Sequence, residues 1–143
     1  MDEELITTSA VDFLEKGGWC ILSYDFPQSG TGCILHPDEW QAKTKNLDSI
    51  IPDIIARKDK IGLISENKVD YYQPDIEKLK NIRAGHYSED IAAVFGRDSI
   101  DKLILGLCLR KTPKNVEKIE HERKNIDFYI TLDTNHLCEL TWL

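Results

Sequence analysis

The chain has no cysteine pair at metal-ribbon spacing, no long apolar run and no excess of basic charge, and each absence removes a class of function. Its four cysteines, Cys20, Cys33, Cys108 and Cys138, form no CxxC pair, so neither a zinc ribbon nor a dithiol redox motif is written here. Three of them lie in apolar runs (WCIL, LGLCLR, HLCEL), the setting of reduced and mostly buried thiols. Apolar runs end after a handful of residues, far short of the ~20 that span a bilayer. The opening MDEELITTSA is acidic and lacks the basic-then-apolar order of a secretory signal, so the expected location is cytoplasmic, with no membrane partner. Eighteen Lys and Arg against 25 Asp and Glu leave a net charge of −7. That disfavours a generic nucleic-acid binder, because a phosphate backbone rewards basic surface. A local basic face stays open, and a carboxylate-rich metal site lowers the net charge by itself. The histidines (36, 86, 121 and 136) make no HxH or HxxxH pattern, and Ser29-Gly30-Thr31-Gly32 lacks the lysine and following helix of a phosphate loop.

What is present suits one globular domain over residues 1–143, 41% hydrophobic and 30% charged. Residues 3–16 have Leu5, Ile6, Ala10, Phe13 and Leu14 near helical spacing, stopped by Gly17-Gly18. WCILSYD, 19–25, reads as a strand. Residues 26–49 then turn polar, with two prolines and two glycines. This insertion is long for a connection and reads as a functional excursion or a mobile one, with a short helix around HPDEWQAKT. PDIIARKDKIGLISENK reads as a β-hairpin turning at RKDK. QPDIEKLKNIRAG is a helix with Pro74 in its first turn, and SEDIAAVFG a second one capped by Ser88. KLILGLCLR, 102–110, is apolar enough for a strand covered on both faces. A charged helix capped by Thr112 and two closing strands complete the order. The expected class is α/β: a central mixed sheet flanked by helices.

The hairpin carries charge where strands ordinarily do not. Asp53 opens its first strand, while Glu66 and Lys68 sit two apart at the end of its second. Residues two apart on a strand share a face, and a short turn brings Asp53 beside Glu66 at the open end. Two adjacent carboxylates repel each other. A divalent cation relieves that repulsion, and oxygen ligands suit Mg²⁺ or Mn²⁺.

Pro52-Asp53, twelve intervening residues and Glu66-Asn67-Lys68 resemble the signature of the PD-(D/E)xK nuclease superfamily, the restriction-endonuclease-like fold. The predicted order of helix, strand, motif hairpin, helix and strand resembles it as well. The resemblance implies a magnesium- or manganese-dependent DNA endonuclease, working in restriction or defence as a homodimer or with a partner subunit. It implies Asp53 and Glu66 as metal ligands, with the Asn67 backbone carbonyl as a further one. Lys68 would position or activate the attacking water. Glu4, with Glu3 as its substitute, would add an acidic group from the first helix, and Gln73 would reach the water from the helix after the motif. Segment 26–49 is the expected substrate contact, with Trp40 as a candidate for base stacking. Lys43, Lys45, Lys58 and Lys60, and the stripe Lys78, Lys80 and Arg83, are candidate backbone contacts. Three competing explanations stay open. Glu66 and Lys68 form a solvated pair on an edge strand; or the fold is a catalytically inactive binding or assembly subunit; or the acidic chain sequesters a basic partner.

Overall fold

The computed structural model describes residues 1–39, 47–96 and 99–143. The elements run α1 (Glu3–Lys16), β1 (Cys20–Tyr24), β2 (Ile54–Lys58), β3 (Ile61–Asn67), α2 (Gln73–Arg83), α3 (Ser88–Phe95), β4 (Lys102–Arg110), α4 (Pro113–Glu120), β5 (Phe128–Leu132) and β6 (Cys138–Trp142). Local chemistry sets their ends. Asp2 caps α1 by accepting from the Leu5 amide at 2.9 Å, and Thr112 caps α4 by accepting from the Asn115 amide at 3.1 Å. The expected cap of α3 is corrected: Ser88 is its first residue. Asp38 does the capping from a distance, accepting from the Ser88 hydroxyl at 2.5 Å and the Glu89 amide at 2.9 Å.

The strands make one six-stranded mixed sheet in sequence order. The β1–β2, β2–β3 and β5–β6 pairs are antiparallel; β3–β4 and β4–β5 are parallel. The β2–β3 hairpin pairs Lys58 with Ile61, leaving Asp59-Lys60 as a two-residue turn with Asp59 in the left-handed region at φ 52°. Crossovers from β3 to β4 and from β4 to β5 must carry helices. Right-handed connections running in one direction place α2, α3 and α4 on the same face. That face is packed by Ile76, Leu79 and Ile82 of α2, Ile91 and Phe95 of α3 and Ile119 of α4 against Ile55, Ile64 and Leu105. Among the described residues the other face holds α1, with Ile6, Ala10 and Leu14 against Ile54, Leu63 and Phe128. Gly106 is what lets Phe128 close over β4: a Cβ there would come within 2.5 Å of the Phe128 carbonyl oxygen. The protein is a single-domain α/β fold, with four helices and this sheet among the described residues.

The polar segment is anchored at its described parts: Leu35 is fully buried and pairs with Ile50, and the buried Asp38 ties it to α3. Most of the helix predicted around HPDEWQAKT lies outside the described residues, as do Trp40, Lys43 and Lys45. Of the four free cysteines only Cys108 is buried; Cys20 is exposed, because β1 is a sheet edge and one of its faces meets solvent. Among the described residues no helix is long and apolar enough to cross a membrane.

Candidate functional site

The hairpin register assembles the site. Ile54 pairs with Ser65, and one step further sets Asp53 across from Glu66. There the side chain of Asp53 takes over from the backbone ladder: its Oδ2 accepts from the Asn67 amide at 2.7 Å. Side-chain alternation then sends Asp53 and Glu66 to the face of Ile55 and Ile64, under α2. Ser65 and Asn67 point the opposite way, toward α1.

Under α2 the chemistry is ionic. The Glu66 side chain is 0% exposed, and Lys78 lies 3.0 Å from its Oε1. This is an ion pair by distance without hydrogen-bond alignment, for neither Glu66 oxygen has a hydrogen-bond partner. Burial first, and the facing Asp53 carboxylate second, push the Glu66 carboxyl well above the usual carboxylate range, and Lys78 offsets this only in part. The effect of Glu66 on Lys78 runs the other way: burial would lower the ammonium, but Glu66, Asp53 and Asp75 raise it overall. The complete enclosure of Glu66 dominates, so its carboxyl stays above the usual carboxylate range despite the ammonium beside it.

Lys68 is held differently. Its Nζ lies 3.4 Å from Asp75 Oδ2 and 4.0 Å from Asp53 Oδ2, and 3.4 Å from the Asn67 carbonyl oxygen. Burial would lower this ammonium, but Asp75, Asp53, Glu66 and Glu3 together outweigh it and keep the group protonated beyond the ordinary lysine value. Asp75 is itself buried, and that burial raises its carboxyl despite Lys68 and Lys78. Fully ionised, three carboxylates and two ammoniums leave the cluster one negative charge in excess.

Of the expected site residues, Asp53, Glu66, Lys68 and the Asn67 carbonyl come together. Glu4 is exposed, and Glu3 is the helix-α1 acid that acts on Lys68. Gln73 is exposed at the start of α2, donating to Glu77 at 3.1 Å. Lys58 precedes the hairpin turn and Lys60 lies in it, at the far end of the sheet, where Lys58 donates to the Gly17 carbonyl at 2.7 Å. The basic stripe of α2 divides: Lys78 turns inward, while Lys80 pairs with Glu77 and Arg83 with Asp127. Sequence reasoning missed Asp75 and the inward course of Lys78. The signal was there, because Asp75 sits four and seven residues before Leu79 and Ile82, on the apolar stripe of its helix.

Does a divalent cation fit these groups? Among the described residues no three His, Cys, Asp or Glu side chains are placed to share one, so the side-chain donors are Asp53 and Glu66. The two enclosed Glu66 oxygens have no aligned hydrogen bond, one lies 3.0 Å from the Lys78 ammonium, and both face a second carboxylate, a setting whose hard oxygen donors suit a small hard cation. The Asn67 carbonyl faces the same side, as its contact with Lys68 shows. A cavity of about 380 Å³, lined in part by Lys114, Lys118 and the Asp70–Arg110 ion pair, opens beyond the carboxyl ends of β3 and β4. No protein-family model, curated protein or solved structure matches the chain.

Proposed function

We propose that the protein is a metal-dependent endonuclease of the PD-(D/E)xK type, hydrolysing phosphodiester bonds in DNA. The carrying observation is the buried Glu66 carboxylate, unpartnered by hydrogen bonds and facing Asp53, with Lys68 two residues further along the same strand end. The element order from α1 to β4 agrees with the restriction-endonuclease-like arrangement, and the site lies at the carboxyl end of covered parallel strands, where α/β sheets carry their ligands. Asp53, Glu66 and the Asn67 carbonyl would hold Mg²⁺ or Mn²⁺. That ion would supply neutralisation of the charge that develops on phosphorus-bound oxygen.

The chain's own residues do the rest. Asp53 is oriented by the Asn67 amide, so one carboxylate oxygen is fixed before any ligand arrives. Lys68, kept charged by its carboxylate neighbours, donates to a phosphate oxygen or to the attacking water. It acts as a cation and donor, not as a base. Asp75 positions that ammonium. Water attacks phosphorus in line as the bond to the 3′-oxygen breaks, and the proton that the water loses to solvent is balanced by the one that the leaving 3′-oxygen takes up. Lys114 and Lys118 line the neighbouring cavity, where Arg110 is already engaged by Asp70, and these two lysines give the acidic chain a local surface for the phosphate backbone. A chain this small does not surround a duplex, so cutting both strands calls for a homodimer or a partner subunit.

One observation favours a second reading, an inactive subunit of the same fold. Both acidic poles already have ammonium neighbours, Lys78 at Glu66 and Lys68 at Asp75, so the site is partly neutralised without a metal. The test is cleavage of supercoiled plasmid and of single-stranded DNA with Mg²⁺, Mn²⁺ or EDTA, alongside Asp53→Ala and Lys68→Ala. Metal-dependent cutting lost in both variants is the expected result. Cutting that survives both variants, or no cutting together with no Mn²⁺ binding, overturns the nuclease reading.

A further inference from the structure

The two lysines of the cluster differ in how firmly they are held. Lys68 has Asp75 at 3.4 Å, the Asn67 carbonyl at 3.4 Å and Asp53 at 4.0 Å, so losing one acceptor leaves it two. Lys78 has one close oxygen, Glu66 Oε1 at 3.0 Å, and its side chain is 30% exposed. An ammonium on a flexible four-carbon stem at the rim of a site can swing into water at little cost.

A divalent cation on Glu66 needs its oxygen at roughly 2.0–2.6 Å, inside the distance at which Lys78 now stands. Two cations on one enclosed carboxylate repel each other in a setting that screens poorly. They cannot both stay. We propose that Lys78 is the resident counter-ion of Glu66 in the metal-free protein, and that a divalent cation binds by displacing its ammonium. This rests on the metal-site reading above and adds a residue that sets the affinity of that site.

The test is direct Mn²⁺ binding to the full chain, read from the spectrum of free Mn²⁺ during titration, for the wild type and for Lys78→Met, Lys78→Arg, Lys80→Met and Glu66→Gln. Lys78→Met should tighten binding about tenfold or more, the scale of one ion pair's attraction. Lys78→Arg should weaken it, because a guanidinium forks onto a carboxylate more persistently than an ammonium. Lys80, turned outward to Glu77, should leave it unchanged on substitution. Unchanged or weaker binding in Lys78→Met, with Glu66→Gln abolishing binding, rejects displacement and keeps the metal site. Absence of binding in the wild type and in Lys78→Met alike rejects both. If Lys78→Met folds only when Mn²⁺ is present, that itself supports displacement, and Lys78→Arg then tests it independently: binding as tight as wild type would overturn it.

Discussion

The end of β3 carries two buried polar clusters, one on each face, and they are built on opposite rules. Toward α1, Asn67 donates to the Thr7 hydroxyl at 3.0 Å and accepts from Ser65 at 3.0 Å, with the Cys108 thiol 3.7 Å from Ser65. All four residues are buried, none carries a formal charge, and none of their side-chain oxygens or nitrogens lacks a partner. Toward α2, Glu66 is as deeply buried, yet its oxygens have no hydrogen bond and its carboxyl is pushed far from its ordinary value. A satisfied neutral network holds a helix to a sheet. An enclosed carboxylate facing another carboxylate costs stability, which fits a group kept for chemistry rather than for folding. One strand thus separates the two roles by side-chain alternation alone.

Substitution should split the faces. The largest effect belongs to activity on the α2 face. Asp53→Asn keeps an oxygen for the Asn67 amide but removes a charge, so plasmid cleavage should fall roughly 10²–10⁴-fold, with a circular-dichroism melt close to wild type. On the α1 face the loss should be in stability. Asn67→Ala leaves Thr7 and Ser65 without their shared partner, which should cost about 2–3 kcal/mol in urea unfolding.

Acidity should sharpen the contrast. A carboxyl whose value is raised on folding binds its proton more tightly in the native state, so the metal-free protein gains stability as pH falls through the raised value of Glu66 toward 4.5. That gain is complete below the unfolded value and is lost again as pH rises. Asp75, also raised, adds in the same direction. Melting temperatures of the metal-free chain should therefore climb on mild acidification. A fall over that window would mean that Glu66 is stabilised as an ion. The smallest effects belong to residues outside both clusters: Glu4→Gln and Gln73→Ala should change stability by no more than about 0.5 kcal/mol, and should leave cleavage within about twofold of wild type.

Much of the fold is legible in the sequence. Glycine stops, caps and apolar periodicity locate the described helices and strands, because those signals act within a few residues. The Asp53–Glu66 neighbourhood is legible too, since a two-residue turn leaves one register for the hairpin. What escapes depends on contacts between distant segments. Asp75 and Lys78 belong to the site only once α2 lies across the end of β3, and Asp38 caps α3 across fifty residues of sequence. Glu3 rather than Glu4 acts on Lys68 because one residue on a helix is a rotation of about 100°. The exposure of Cys20 follows from β1 being a sheet edge, which strand propensity does not encode.

The sharpest measurement is a paired one on Glu66→Gln: melting temperature without metal, and plasmid cleavage with Mg²⁺ and Mn²⁺. Glutamine keeps the shape of the side chain and removes the buried charge. If the carboxylate is kept for metal-assisted hydrolysis, the variant melts at or above the wild-type temperature and does not cut DNA. A variant that cuts like the wild type, or that melts well below it while the wild type neither cuts DNA nor binds Mn²⁺, would make Glu66 and Lys78 a structural ion pair and contradict the account.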